Sequence, residues 1–229
     1  MGESNHTFLE LINIGTLLAL LVHYRVKLVR LGRDVIEHKS YTLLRNILLT
    51  SIPAGLAGYL LADFITTNSF FGSIYVVVAT LAVVGFAMIV LDRLPRASEV
   101  QDGEHLSWFR ALVVGVAQMA ALIPGVSRSG ATIIAGRLSG LPHAQAADYS
   151  FLASIPIMLG VTLKILINSS DRAYFAEHFA VLVVGNIVAF AAGILAIRFL
   201  LGYLARHDLK LFGWYRLALA AVVGLVVLL

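Results

Sequence analysis

The sequence predicts an all-α polytopic membrane protein with six spanning helices and one re-entrant helical hairpin, arranged as an inverted repeat whose first hairpin is missing. Three observations carry that prediction. Hydrophobic residues make up 59% of the 229-residue chain and charged residues only 13%, where a soluble domain averages about 25% charged. The apolar residues gather into runs of about 20, the length that crosses a bilayer as a helix. One further apolar run, in the middle of the chain, is broken by PGVSRSG.

Taken in order, the spans are expected over 8–24, 43–61, 70–91, 149–167, 179–201 and 211–229. With the interrupted stretch they make one membrane domain over 1–229, divided into a first triplet (8–91), a hairpin (109–148) and a second triplet (149–229). Cysteine is absent, which excludes disulfide frameworks, thiolate metal sites and a cysteine nucleophile. No signal peptide is expected, because the opening MGESNHT has no lysine or arginine and the next run lacks a small-residue cleavage site. The net charge of +4 is explained by cytoplasmic loops, so the bilayer, and not nucleic acid, is the expected partner.

Lysine and arginine in the loops set the orientation. Arg25, Lys27, Arg30, Arg33, Lys39 and Arg45 place the loop between the first two spans inside, while the next loop, around TTNS, has no basic residue. Arg93, Arg96 and Arg110 follow the third span, and Arg198, Arg206 and Lys210 surround the loop before the last, against Arg172 alone in the loop before it. The stretch 109–148 therefore enters and leaves on the cytoplasmic side. A single span cannot do this, but a hairpin can: a helix over 109–123, a break at Pro124 and Gly125, and a return helix from about Ala131. The second triplet then repeats the first upside down. Inverted repeats place their shared site near the bilayer midplane, on broken helices. By symmetry a hairpin is also expected before the first span, where only seven residues stand.

The sequence PGVSRSGAT at 124–132 has the parts of an oxyanion cradle. Gly125 and Gly130 let backbone approach a ligand, and the N–H groups opening the return helix face the break with the positive end of its dipole. Ser127, Ser129 and Thr132 add hydroxyls, and Arg128 brings a planar fork suited to phosphate or carboxylate. The plainer reading is a kinked helix whose arginine snorkels. An arginine inside a membrane segment, placed at a helix break, favours the site. Gln118, six residues before Pro124, is expected either to touch the ligand or to bond another helix. Glu10, three residues before Asn13, and Asp148 are candidate metal ligands, each with an ordinary reading as a helix-start acid. Lys164 and Arg216 are read as snorkelling near helix ends, with Trp214 and Tyr215 as interfacial anchors. No acid pair at helical spacing, H-E-x-x-H or Walker loop occurs in the spans.

These residues resemble a family. PGVSRSGAT with Gln118 before it, ADYSFLASIP at 147–156 and YRLALA at 215–220 are similar to the second half of the bacterial undecaprenyl-diphosphatases, the bacitracin-resistance membrane phosphatases. The resemblance implies hydrolysis of undecaprenyl diphosphate to the monophosphate, which recycles a cell-wall lipid carrier, in the bacterial cell membrane. It also implies a fold of two inverted repeats, each a re-entrant hairpin followed by three spans. Arg128, Ser127 and Ser129 would be the catalytic set, with Arg128 the principal clamp; Gly125, Gly130, Thr132 and Gln118 would line the substrate site. A divalent cation, Mg2+ or Ca2+, is implied as cofactor, and a homodimer is left open. The family's other signature, an E-x-x-x-E helix followed by a serine-rich loop ending in Gly-His, has no match here, so a truncated or wrongly started reading frame is expected. An anion or anionic-lipid transporter and a non-catalytic lipid-diphosphate-binding remnant stand as the alternatives.

Overall fold

The computed structural model describes residues 2–91 and 100–228. Arg93 and Arg96 lie outside the described residues, as does the side chain of Arg172. Among the described residues all regular structure is helical: α1 (Gly2–Ile36), α2 (Thr42–Leu60), α3 (Ala62–Thr67), α4 (Ser69–Gly72), α5 (Ile74–Leu91), α6 (Trp108–Met119), α7 (Arg128–Leu138), α8 (His143–Ile167), α9 (Ser169–Glu177), α10 (Phe179–Leu204) and α11 (Lys210–Leu228). Six of them, α1, α2, α5, α8, α10 and α11, are long and apolar enough to cross a membrane. The chain is a multi-pass membrane protein.

Two of these helices begin well before the apolar runs that announce them. Polar residues such as Ser4, Asn5, His143 and Gln145 lie in the first turns of α1 and α8, so helix continues where the apolar pattern stops. Glu10 and Asp148 are therefore helix-interior acids and not caps.

The structure divides into two compact units, Met1–Tyr41 with Phe151–Leu201, and Thr42–Ser150 with Gly202–Leu229. In the first, Leu11, Ile165 and Leu182 form a buried core against which Phe8, Ile12, Tyr174 and Phe175 pack. Helices α1 and α10 meet through small residues. A Cβ on Gly193 would stand 3.0 Å from Ala19 Cβ, and the Gly15 N–H donates to the Asn186 side-chain oxygen. Within a bilayer there is no hydrophobic drive between helices, so this close backbone approach supplies the dispersion that holds them.

The second unit contains the broken stretch. Helix α6 packs on α2, α7 packs on α6 and α5, and α5 packs on α11. Pro53 lies inside α2 and removes the N–H that would have bonded the Leu49 carbonyl. Gly115 of α6 seats against that carbonyl: a Cβ there would be 2.5 Å from Leu49 O and 2.9 Å from Thr50 Cα and O. Both neighbours are backbone and cannot swing aside. Gly115→Ala is expected to lower thermal stability in detergent by the equivalent of about 1–3 kcal/mol, the usual penalty of overpacking. Unfolding curves matching wild type would show that α2 and α6 do not meet this closely. On the other side, α5 and α11 cross through a reciprocal pair, with Cβ positions of Gly85 and Gly213 falling 2.9 and 2.7 Å from each other's carbonyl oxygens.

Candidate functional site

The chain leading into α6 is fixed before the helix starts. Buried Asn46 of α2 donates from its amide to the carbonyls of Gly103 and Leu106, at 3.0 and 2.8 Å. Tyr149 of α8 donates to the Asn46 carbonyl at 2.7 Å, and its ring lies against Gly103. In the same loop Asp102 bonds the His105 ring at 2.7 Å, which raises the imidazole above its ordinary range. Ser107 then caps α6, accepting from the Arg110 N–H. In the last turn of α6, Gln118 donates to the Thr50 carbonyl at 2.9 Å. It is 1% exposed, and its side-chain oxygen has no partner among the described residues. The amide nitrogen of Gln118 thus bridges α6 to α2.

Helix α6 tightens into a 3-10 turn over Ala120–Leu122 and ends there, because Pro124 has no N–H to offer and disfavours helix at the residue before it. Gly125 follows with φ +82°, the left-handed conformation that glycine adopts at least cost. Interrupting a helix exposes carbonyls, and in a dry interior each needs a donor. Two neighbouring helices provide them. Thr80 of α5 donates to the Pro124 carbonyl at 2.7 Å, and Arg216 of α11 donates to the Gly125 carbonyl. The reading of Arg216 as a snorkelling residue is thus corrected: its guanidinium turns inward to the break, where an unsatisfied carbonyl is a better acceptor than the distant headgroup layer.

Helix α7 begins at Arg128, three residues earlier than the glycine-threonine pattern suggests. Ser127 is its N-cap, with its hydroxyl accepting from the Gly130 N–H at 3.1 Å and lying 3.1 Å from the Ser129 hydroxyl. The backbone N–H groups of Arg128 and Ser129 carry no hydrogen bond among the described residues. Two serine hydroxyls hold two protons, of which one is used in their mutual bond, so one remains to be donated. Half-buried Arg128 has neither a hydrogen-bond partner for its guanidinium nor a carboxylate beside it among the described residues. Gly130 is buried, and a Cβ there would stand 3.0 Å from the end of Met88 on α5. Thr132 is buried as well; its hydroxyl is engaged with the Arg128 carbonyl at 3.0 Å and with Ser150 of α8. It ties α7 to α8.

The structure therefore brings together Gly125, Ser127, Arg128, Ser129 and Gly130, and directs Gln118 and Thr132 toward neighbouring helices. Glu10 belongs to the other compact unit from Asp148. Among the described residues no three histidine, aspartate or glutamate side chains gather into a metal-binding group. Thr80 and Arg216 are the residues that motif reading missed. Neither lies near PGVSRSG in sequence, and only the crossing of α5 and α11 makes them neighbours.

The chain is thus a polytopic helical membrane protein with free N–H groups, a hydroxyl and an unpaired guanidinium, among the described residues, at a helix break. A family described as bacitracin resistance protein BacA matches residues 1–222, and the chain belongs to that family. A protein of Rubrobacter xylanophilus described as undecaprenyl-diphosphatase is 39% identical over 228 residues, covering 95% of this chain and 82% of the relative. One of Nitrosomonas eutropha with the same description is 35% identical, covering 99% and 81%. A Clostridioides difficile protein described as undecaprenyl-diphosphatase 1 is 38% identical, covering 95% and 79%.

Proposed function

We propose that the chain hydrolyses undecaprenyl diphosphate to undecaprenyl phosphate and phosphate in the bacterial membrane. Family membership supports the reaction, and the single observation that carries the site is Arg128: a half-buried cation, without a counter-ion among the described residues, at the N-terminus of α7. Burying an unpaired charge costs several kcal/mol, roughly, per ion. A phosphate oxygen held by the guanidinium, the N–H groups of Arg128 and Ser129 and the spare serine proton removes that penalty. In this reading the cradle binds and orients the terminal phosphate and stabilises the charge that accumulates on its oxygens during attack at phosphorus. Gly125 and Gly130 keep side chains out of the space the anion occupies. Because a pyrophosphate link is broken, the same donors also suit the departing phosphate. The shared description of the relatives favours hydrolysis over anion transport.

In the same reading α6, the break and α7 form a re-entrant hairpin, and α1, α2 and α5 are repeated upside down by α8, α10 and α11. Support for the hairpin comes from the length of α6, 12 residues, which at about 1.5 Å per residue is too short to cross. The pairing of the Pro124 and Gly125 carbonyls with donors from α5 and α11 supports it too, since irregular backbone at membrane depth must be satisfied by protein.

The test is phosphate release from a C15 or C55 prenyl diphosphate in detergent, with Mg2+ or Ca2+ added or with EDTA, for this chain and for Arg128→Ala. Release that the substitution removes supports the reading. Absence of release from folded wild-type protein overturns it.

A further inference from the structure

Arg128 is not the only uncompensated guanidinium at the break. Arg216 on α11 reaches the Gly125 carbonyl, two residues from the N-cap of α7. Its approach is built in, because the close crossing of Gly85 and Gly213 presses the Arg216 stem against α5, with Arg216 Cβ 3.0 Å from where a Cβ on Gly85 would stand. Two things about this arginine are left over once its bond to Gly125 is counted. Its Nε is buried and has no hydrogen-bond partner among the described residues. No carboxylate neutralises it, because the ion pairs among the described residues involve other cations. Holding one carbonyl is a task a neutral donor can do, as Thr80 does for Pro124. A full positive charge with its Nε–H unspent is more than the break needs for itself.

We propose that Arg216 is the second cation of the cradle and sets its preference for a diphosphate over a monophosphate. The inference rests on the diphosphatase reading and adds a specificity-determining residue to it. Two guanidinium groups, Arg128 and Arg216, neither ion-paired to an acid among the described residues, match an anion of at least two charges spread over two phosphorus centres. A monophosphate satisfies the α7 N-terminus and Arg128 and leaves Arg216 unmatched. A diphosphate bound in the same place offers a second set of oxygens, and its charge acts on Arg216, where partial burial weakens screening. The product, which has lost one phosphate, is then held less tightly than the substrate, and this favours release.

The experiment measures dissociation constants of inorganic diphosphate and inorganic phosphate for the full chain in detergent by calorimetry, for wild type, Arg216→Gln and Thr80→Val. Binding is read without turnover, so failure of hydrolysis and failure of this inference are told apart. Arg216→Gln is expected to weaken diphosphate binding on the order of tenfold or more, the scale of a lost charge-assisted hydrogen bond, and phosphate binding by about threefold or less. Thr80→Val removes the other tether of the break but no charge, and is expected to leave the ratio of the two constants as in wild type. An unchanged ratio in Arg216→Gln overturns the proposal. So does an equal fall of the ratio in Thr80→Val, which would trace the effect to the shape of the break. If Arg216→Gln does not fold, Arg216→Met makes the same comparison: it keeps an apolar stem packed against α5 and removes the charge. A several-fold loss confined to diphosphate supports the proposal, and an unchanged ratio overturns it.

Discussion

Arg128→Ala should reduce turnover of a prenyl diphosphate by on the order of 10²–10³-fold or more, and leave the protein folded. The size follows from what the guanidinium does. Removing one donor from an oxyanion site costs about 10²–10³ in turnover, and this donor also carries the charge that faces the ligand. The fold should tolerate the change because Arg128 makes no side-chain bond to the described residues, so its removal orphans no partner and relieves a half-buried cation without a counter-ion among them. The helix start is secured independently by Ser127 and Gly130. A stabilised but inactive protein is therefore the expected pairing, read by thermal unfolding in detergent beside the phosphate-release assay. Arg128→Lys should recover little of the activity, since a point charge cannot make the two parallel bonds of the fork. Strong destabilisation by Arg128→Ala would instead mean that the side chain braces the fold, and the cradle would lose its main support.

Much of this arrangement is readable from the chain, and what is not has a physical reason. The six spans stand out because lipid demands about 20 continuous apolar residues and the sequence has little else to hide them. Their outer ends are less visible: α8 starts at His143 and α1 reaches Ile36, since a helix outside the bilayer needs no apolar run. The break at Pro124 and Gly125 is local chemistry and reads directly. The start of α7 at Arg128 is also written locally, in a serine followed three residues later by a glycine N–H that it caps, although glycine and serine argue against helix on propensity. Arg216 is different. It is 91 positions from its partner, and at the near end of an apolar helix it has the appearance of a snorkelling residue. Its inward turn depends on the α5–α11 crossing and on a carbonyl freed by a proline elsewhere, neither of which periodicity encodes. Thr132 shows the converse. Its place in PGVSRSGAT suggests a ligand contact, and its buried hydroxyl also bonds Ser150, a tie to α8 that the motif alone does not show.

Gly125→Ala should abolish activity with the cradle's polar residues all intact, and should cost stability as well. Two independent penalties meet at this position. The backbone has φ +82°, where a Cβ costs about 1–2 kcal/mol, and that Cβ would collide with the Thr80 hydroxyl and stand 2.7 Å from the Val77 carbonyl. The Thr80 hydroxyl could rotate away, but only by releasing the Pro124 carbonyl it holds; the Val77 carbonyl belongs to the α5 backbone and cannot move alone. The break must shift away from α5, adding an overpacking cost of about 1–3 kcal/mol. That shift displaces the Gly125 carbonyl from Arg216 and moves the start of α7, which lies only three residues on. Misplacement by about 1 Å can cost on the order of 10²-fold in rate. Relieving one contact with Thr80→Ala in the Gly125→Ala background should restore part of the stability but little activity, because the φ penalty and the Val77 clash persist. Thermal unfolding and phosphate release measured on the single and double variants decide it. Wild-type turnover in Gly125→Ala would mean that the chain passes this point in a conformation open to any residue, and the tight seat of the break against α5 would be wrong.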